Sequence, residues 1–106
     1  MDEQVFVALA GKALENWAMI IEDNADVDVD CDGSVLTVEL DDGRTFVVNR
    51  NRPLRQIWLS SPVSGASHYD WKKTDECWMG TKGEGRLDER LAREVSETTG
   101  AEISFG

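Results

Sequence analysis

From Glu3 to about Asn24 the apolar residues Phe6, Leu9, Ala10, Ala13, Leu14, Trp17, Ile20 and Ile21 recur at the i, i+3, i+4, i+7 spacing of one helix face. This predicts an amphipathic helix. At about 100° per residue, Glu15 and Glu22 share its solvent stripe, and Asp26 joins them if the helix runs that far. From Asp26 the period drops to two. Val27, Val29 and Cys31 alternate with Asp26, Asp28, Asp30 and Asp32, the pattern of a strand that carries its acids on one face or edge. Gly33 then turns the chain. SVLTVEL and RTFVVN follow as two β-rich runs, and the Asp-Gly step between them, Asp42-Gly43, is a hairpin signal.

Beyond Pro53, RQIWLSS reads as a strand with Ile57 and Leu59 on one face and Gln56, Trp58 and Ser60 on the other. Pro62, Gly65 and their serines form a turn, ASHYDW and ECWMG give two further short strands, and TKGEG is a loop. A final helix from about Arg86 to Thr99 sets Leu87, Leu91, Ala92 and Val95 on one stripe and stops at Gly100, with EISF as an extended tail. Two amphipathic helices at either end of six strands need a common surface to cover. The expected fold is therefore α+β, a two-layer sandwich with both helices on one face of a largely antiparallel sheet. The 106 residues suit one domain spanning 1–106, with too little chain for two cores.

One motif conflicts with this reading. Asp28, Asp30, Asp32, Gly33 and Glu39 reproduce the EF-hand loop pattern D-x-[DN]-x-[DN]-G-x₅-E. An EF-hand needs a helix leaving the loop at Glu39, where this chain has a β-hairpin. A calcium-binding acidic module is thus a minor alternative, and Glu39 is expected to be an ordinary strand residue.

The net charge of −10 is unevenly spread. Residues 1–43 hold twelve acids and one base, residues 44–73 six bases and one acid, and the remainder eight acids and four bases. Such a chain repels phosphate backbones, so nucleic acid is not an expected partner, whereas cations and basic protein surfaces are. No apolar run is long enough to span a bilayer. The acidic amino terminus does not read as a secretory or organellar leader, which points to an interior compartment. Cys31 and Cys77 sit in no CxxC or zinc-ligand arrangement and read as reduced, partly buried thiols.

No catalytic constellation emerges around His68, the single histidine, and no nucleophile elbow or phosphate-binding glycine loop is present. Two features carry functional weight. The first is an acidic ridge of Glu3, Glu15, Glu22, Asp23, Asp26, Asp28 and Asp30. Its crowded carboxylates suit hard cations such as Fe²⁺, Fe³⁺, Mn²⁺ or Ca²⁺, and without histidine or thiolate they would hold them weakly. The second is NRNRPLRQIW, Asn49 to Trp58, in which three arginines accompany a tryptophan on the polar sheet face, the composition of a protein-binding hot spot.

These residues resemble the frataxin family in its bacterial CyaY-type and mitochondrial forms. The resemblance covers nearly the whole chain and is most specific at N-x-x-x-P-x-x-Q-I-W-L-S-S-P-x-S-G, Asn49 to Gly65, followed by HYDW. It implies the same sandwich, weak Fe²⁺/Fe³⁺ binding on the acidic ridge, and regulation of iron–sulfur cluster assembly through contact with a cysteine desulfurase and a scaffold protein. By position it assigns partner contacts to Asn49, Asn51, Gln56, Trp58 and His68, and Arg55 joins them from its place beside the tryptophan. It further implies a monomer with iron-dependent oligomers possible, in bacterial cytoplasm or the mitochondrial matrix. A ferroxidase-like iron store is the enzymatic alternative. Gly11, Lys12 and Met19 stand where family members often carry acids, which argues against loading of many irons.

Overall fold

The computed structural model describes residues 1–105. Helix α1 (Glu3–Asn24) precedes strands β1 (Asp28–Cys31), β2 (Val35–Glu39), β3 (Thr45–Asn51), β4 (Gln56–Ser61), β5 (Gly65–Lys72) and β6 (Cys77–Gly80), and helix α2 (Leu87–Thr99) follows. The strands lie side by side in chain order, each antiparallel to the next. The α+β sandwich expected from the hydrophobic pattern is the observed fold, with a fully antiparallel sheet.

Helix α1 begins where the Asp2 carboxylate accepts the free amides of Gln4 and Val5 at 2.7 and 3.3 Å. It ends at Asn24 because Ala25 is extended, at φ −127° and ψ 148°. Asp26 therefore leaves the helix and does not extend its acidic stripe. Phe6, Ala10, Leu14, Trp17 and Ile21 of α1 and Leu87, Leu91 and Val95 of α2 bury against Leu36, Val38, Phe46, Val48, Ile57, Leu59 and Tyr69 of the sheet. Each large side chain so buried contributes about 1.5–3 kcal/mol.

Gly11 lets α1 approach the sheet closely. A Cβ there would come within 3.2 Å of both the Arg50 guanidinium and the Gly33 carbonyl. Arg50 lies beneath the helix and donates to the Val7 carbonyl at 3.3 Å. Helix α2 starts after Arg86, one residue later than expected, with Asp88 and Glu89 in its first turn, and stops at Gly100, whose φ of 76° is the left-handed cap. Both helices pack on one face. On the other face Thr37, Val47, Asn49, Trp58, Ser60 and His68 alternate with the core residues and remain wholly or partly exposed.

Candidate functional site

The acids of the amino-terminal half gather at several separate points. Glu3 stands about 28 Å from Glu22 along the helix at 1.5 Å per residue, and it faces Arg52 at 3.5 Å. Glu15, Glu22 and Asp30, with Cys31, line a shallow hollow between α1 and β1. The Glu15 carboxylate reaches over the β1–β2 turn, 3.2 Å from where a side chain on Gly33 would begin. A second acidic corner gathers Asp26 and Asp28 with Glu39 and Asp41, because the β1–β2 register sets Asp28 directly opposite Glu39. Asp23 is exposed in the last turn of α1. Among the described residues, no three of histidine, cysteine, aspartate and glutamate converge closely enough to hold a metal ion. The carboxylates thus offer hard oxygen ligands singly or in pairs, the chemistry of a largely hydrated cation.

The EF-like residues fold as a hairpin. Asp32 accepts the Ser34 amide and hydroxyl at 2.9 and 2.8 Å and the Val35 amide at 3.0 Å. These bonds hold its carboxyl at about 2, against an ordinary 3.8. Its Oδ1 closes a turn, and Glu39 lies across the strand pair from Asp28 instead of at a twelfth coordinating position.

On the uncovered sheet face, the register places Asn49, Trp58 and His68 side by side on β3, β4 and β5. The His68 ring stacks on the Trp58 indole, centroids 4.1 Å apart and planes 15° from parallel. The indole N–H donates to Gln56 Oε1 at 2.9 Å, and Gln56 Nε2 donates to Asp70 at 3.1 Å. Trp58 is consequently half-buried in its own neighbours and fixed in orientation. That is the state of a rigid contact residue that loses little entropy on binding.

The arginines beside it are placed otherwise. Arg50 is tied to α1, Arg52 faces Glu3, and Arg55 folds onto the Arg52 and Pro53 carbonyls. Arg55 adopts a left-handed φ of 54°, and that backbone turn is what brings its guanidinium back onto the loop. Asn51 accepts the Leu54 amide at 3.0 Å and closes the same turn. Of the six expected contact residues, Asn49, Gln56, Trp58 and His68 therefore form the face, while Asn51 and Arg55 shape the loop at its edge.

A family model described as the frataxin-like domain matches residues 1–101. The chain belongs to the frataxin family. It is 41% identical over 87 residues to the iron-sulfur cluster assembly protein CyaY of Pseudomonas fluorescens, covering 80% of this chain and 78% of that protein. It is 35% identical to the mitochondrial frataxin of Arabidopsis thaliana, over 99% of this chain and 59% of that longer protein. Frataxin from Psychromonas ingrahamii superposes with a TM-score of 0.88 at 27% identity, over 100% of this chain and 99% of the other. Trimeric frataxin of the yeast Saccharomyces cerevisiae, complexed with ferrous iron, superposes with a TM-score of 0.64 at 27% identity, over 94% and 88% of the two chains.

Within this frataxin sandwich, the residues missed by sequence reasoning are those joined by register or burial. Glu39 and Asp41 enter the acidic corner through the β1–β2 pairing, which the Asp42-Gly43 turn was a signal for. Glu94 gave no signal. It is 3% exposed and takes the Ser61 hydroxyl at 2.6 Å and the Ser64 hydroxyl at 3.1 Å. The serines of the LSSPVSG run thus anchor the β4–β5 turn, and with it the end of the Trp58 strand, to α2.

Proposed function

We propose that this chain takes part in iron–sulfur cluster assembly, carrying Fe²⁺ weakly on its acidic surfaces and docking on the cysteine desulfurase–scaffold complex through the face centred on Trp58. The observation that carries the reading is the Trp58–His68 stack. It stands on the side of the sheet that no helix covers, held by Gln56 and Asp70 and flanked by Asn49. A core has no use for an indole fixed there, and an interface does. The names of the bacterial relatives, which are cluster assembly proteins, support the process. The ferrous complex of the yeast structure supports the cation.

Iron enters here as cargo. The hollow of Glu15, Glu22 and Asp30 and the corner of Asp26, Asp28, Glu39 and Asp41 are open, oxygen-rich and separate from the Trp58 face, so loading and docking need not compete. Their dispersion is consistent with weak, exchangeable binding.

Trp58→Ala is expected to weaken association with the desulfurase–scaffold pair by roughly 30-fold, about 2 kcal/mol, while the Fe²⁺ titration and the urea midpoint stay close to those of the parent chain. Normal binding by the folded variant would remove the face from the mechanism. Oxygen consumption during the same titration separates carriage from oxidation: faster uptake than iron alone would favour the ferroxidase reading.

A further inference from the structure

The hydrogen bonds around Trp58 run in one direction. Register sets Gln56 opposite Asp70 and Trp58 opposite His68 on the β4–β5 pair, so the four side chains form a square on the uncovered face, two along each strand. The indole N–H can only donate, and an ionised carboxylate can only accept. Between them stands the Gln56 amide, which does both. Its Oε1 accepts the indole N–H at 2.9 Å, and its Nε2 donates to Asp70 Oδ1 at 3.1 Å. Turned the other way, the amide would set its NH₂ against the indole N–H and its oxygen against the carboxylate, so that donor met donor and acceptor met acceptor. Asp70 therefore fixes which end of Gln56 faces the tryptophan.

Nothing nearby competes for that carboxylate. On β6 the residue opposite Asp70 is Met79, whose side chain has no donor. Arg55 and Lys73 line the hollow beside Asp70, yet among the described residues neither forms an ion pair with it. The consequence reaches the tryptophan. Its N–H is committed to Gln56 and His68 is stacked on the ring at 4.1 Å, so what Trp58 offers a partner is its remaining ring surface, at a set angle. An indole released from Gln56 would lose rotamer freedom on binding that the fixed one has already given up.

We propose that Asp70 is a positioning residue for docking: through the Gln56 amide it holds the Trp58 indole at the angle a partner meets, without touching the partner itself. The proposal rests on the reading of the Trp58 face as the docking surface.

The test is a mutant cycle on the full chain, read by affinity for the desulfurase–scaffold pair and by the Trp58 indole N–H resonance of the free protein. With four tryptophans in the chain, that resonance is assigned by its loss in Trp58→Phe. Asp70→Ala is expected to move it, to speed its exchange with water, and to weaken association about five-fold. Asp70→Asn, which keeps an acceptor for Gln56 and drops the charge, should restore affinity to within about two-fold of the parent. In the Trp58→Phe background, where a ring remains but no N–H is left to direct, Asp70→Ala should cost nothing further. A loss that persists in that background would overturn the proposal, because Asp70 would then meet the partner directly. Asp70→Asn as weak as Asp70→Ala would overturn it in favour of the charge alone, and an unmoved indole resonance in Asp70→Ala would show that Gln56 holds its orientation unaided. Failure of the docking reading itself is told apart by Trp58→Ala, whose parent-like binding would remove the face, and this role with it, whatever stands at position 70.

Discussion

Glu94 is an acid enclosed by the fold and kept there by hydrogen bonds. Two serine hydroxyls and, at 3.4 Å, Arg90 surround its carboxylate. Removing one partner of such a set leaves buried polar groups unpaired, a loss of about 3 kcal/mol. Glu94→Ala is expected to lower the urea unfolding free energy by that amount, and Glu94→Gln by distinctly less because its amide oxygen still accepts. A loss below about 1 kcal/mol in the alanine variant would show that the serines rebond to water.

Asp32 illustrates the opposite case, a fully exposed carboxylate tuned by local amides. Its folded value, about 2, lies below the ordinary 3.8, so the ionised form stabilises the hairpin at pH above about 4. That contribution fades as pH falls toward 2. The stability difference between the parent chain and Asp32→Asn should shrink over this window. A difference constant with pH would separate the turn from the ionisation.

At the level of elements, α1 carries a cost at its carboxyl end. Glu22 and Asp23 occupy the last turn, where the helix dipole is negative, and no basic residue offsets them. Converting both to amides should raise stability by about 0.3–1 kcal/mol each and at the same time weaken Fe²⁺ binding in the α1–β1 hollow. Unchanged iron titration with the expected gain in stability would take the helix acids out of the site. The β1–β2 pair carries a similar cost in Asp28 facing Glu39. Glu39→Gln should stabilise the hairpin by a few tenths of a kcal/mol and change Ca²⁺ binding little. An EF-hand loop would instead lose its bidentate ligand and most of its affinity.

Across the whole molecule, charge works against compactness. Among the described residues, three of the five ion pairs join exposed side chains and are of small worth, while Arg86–Asp88 is bidentate and Arg90–Glu94 is largely enclosed. The net −10 is not compensated by them. Raising sodium chloride from about 10 to 150 mM, which shortens the Debye length from ~30 to ~8 Å, should therefore raise the thermal midpoint while lowering Fe²⁺ affinity. A midpoint that falls with salt would mean that the ion pairs outweigh the self-repulsion.

The amino-acid sequence by itself determined the elements and the sides they present. The period of 3.6 in Phe6 to Ile21 and of two in Gln56 to Ser60 is a local property, and a one-residue slip would exchange every buried side chain for an exposed one. For that reason the α+β sandwich and the placement of Trp58 opposite Ile57 and Leu59 were legible before any coordinates. Tertiary structure decided which chemically similar residues meet. Glu3 and Glu22 share a helix yet lie at opposite ends of it, whereas Asp28 and Glu39, eleven positions apart, are opposed by register. The direction of Arg55 hung on one left-handed backbone angle, and the burial of Glu94 on a helix from the far end of the chain closing over a turn. Periodicity records which face a residue occupies. Which neighbour it finds there depends on how loops and helix packing fold distant segments together, and no pattern along the chain encodes that distance.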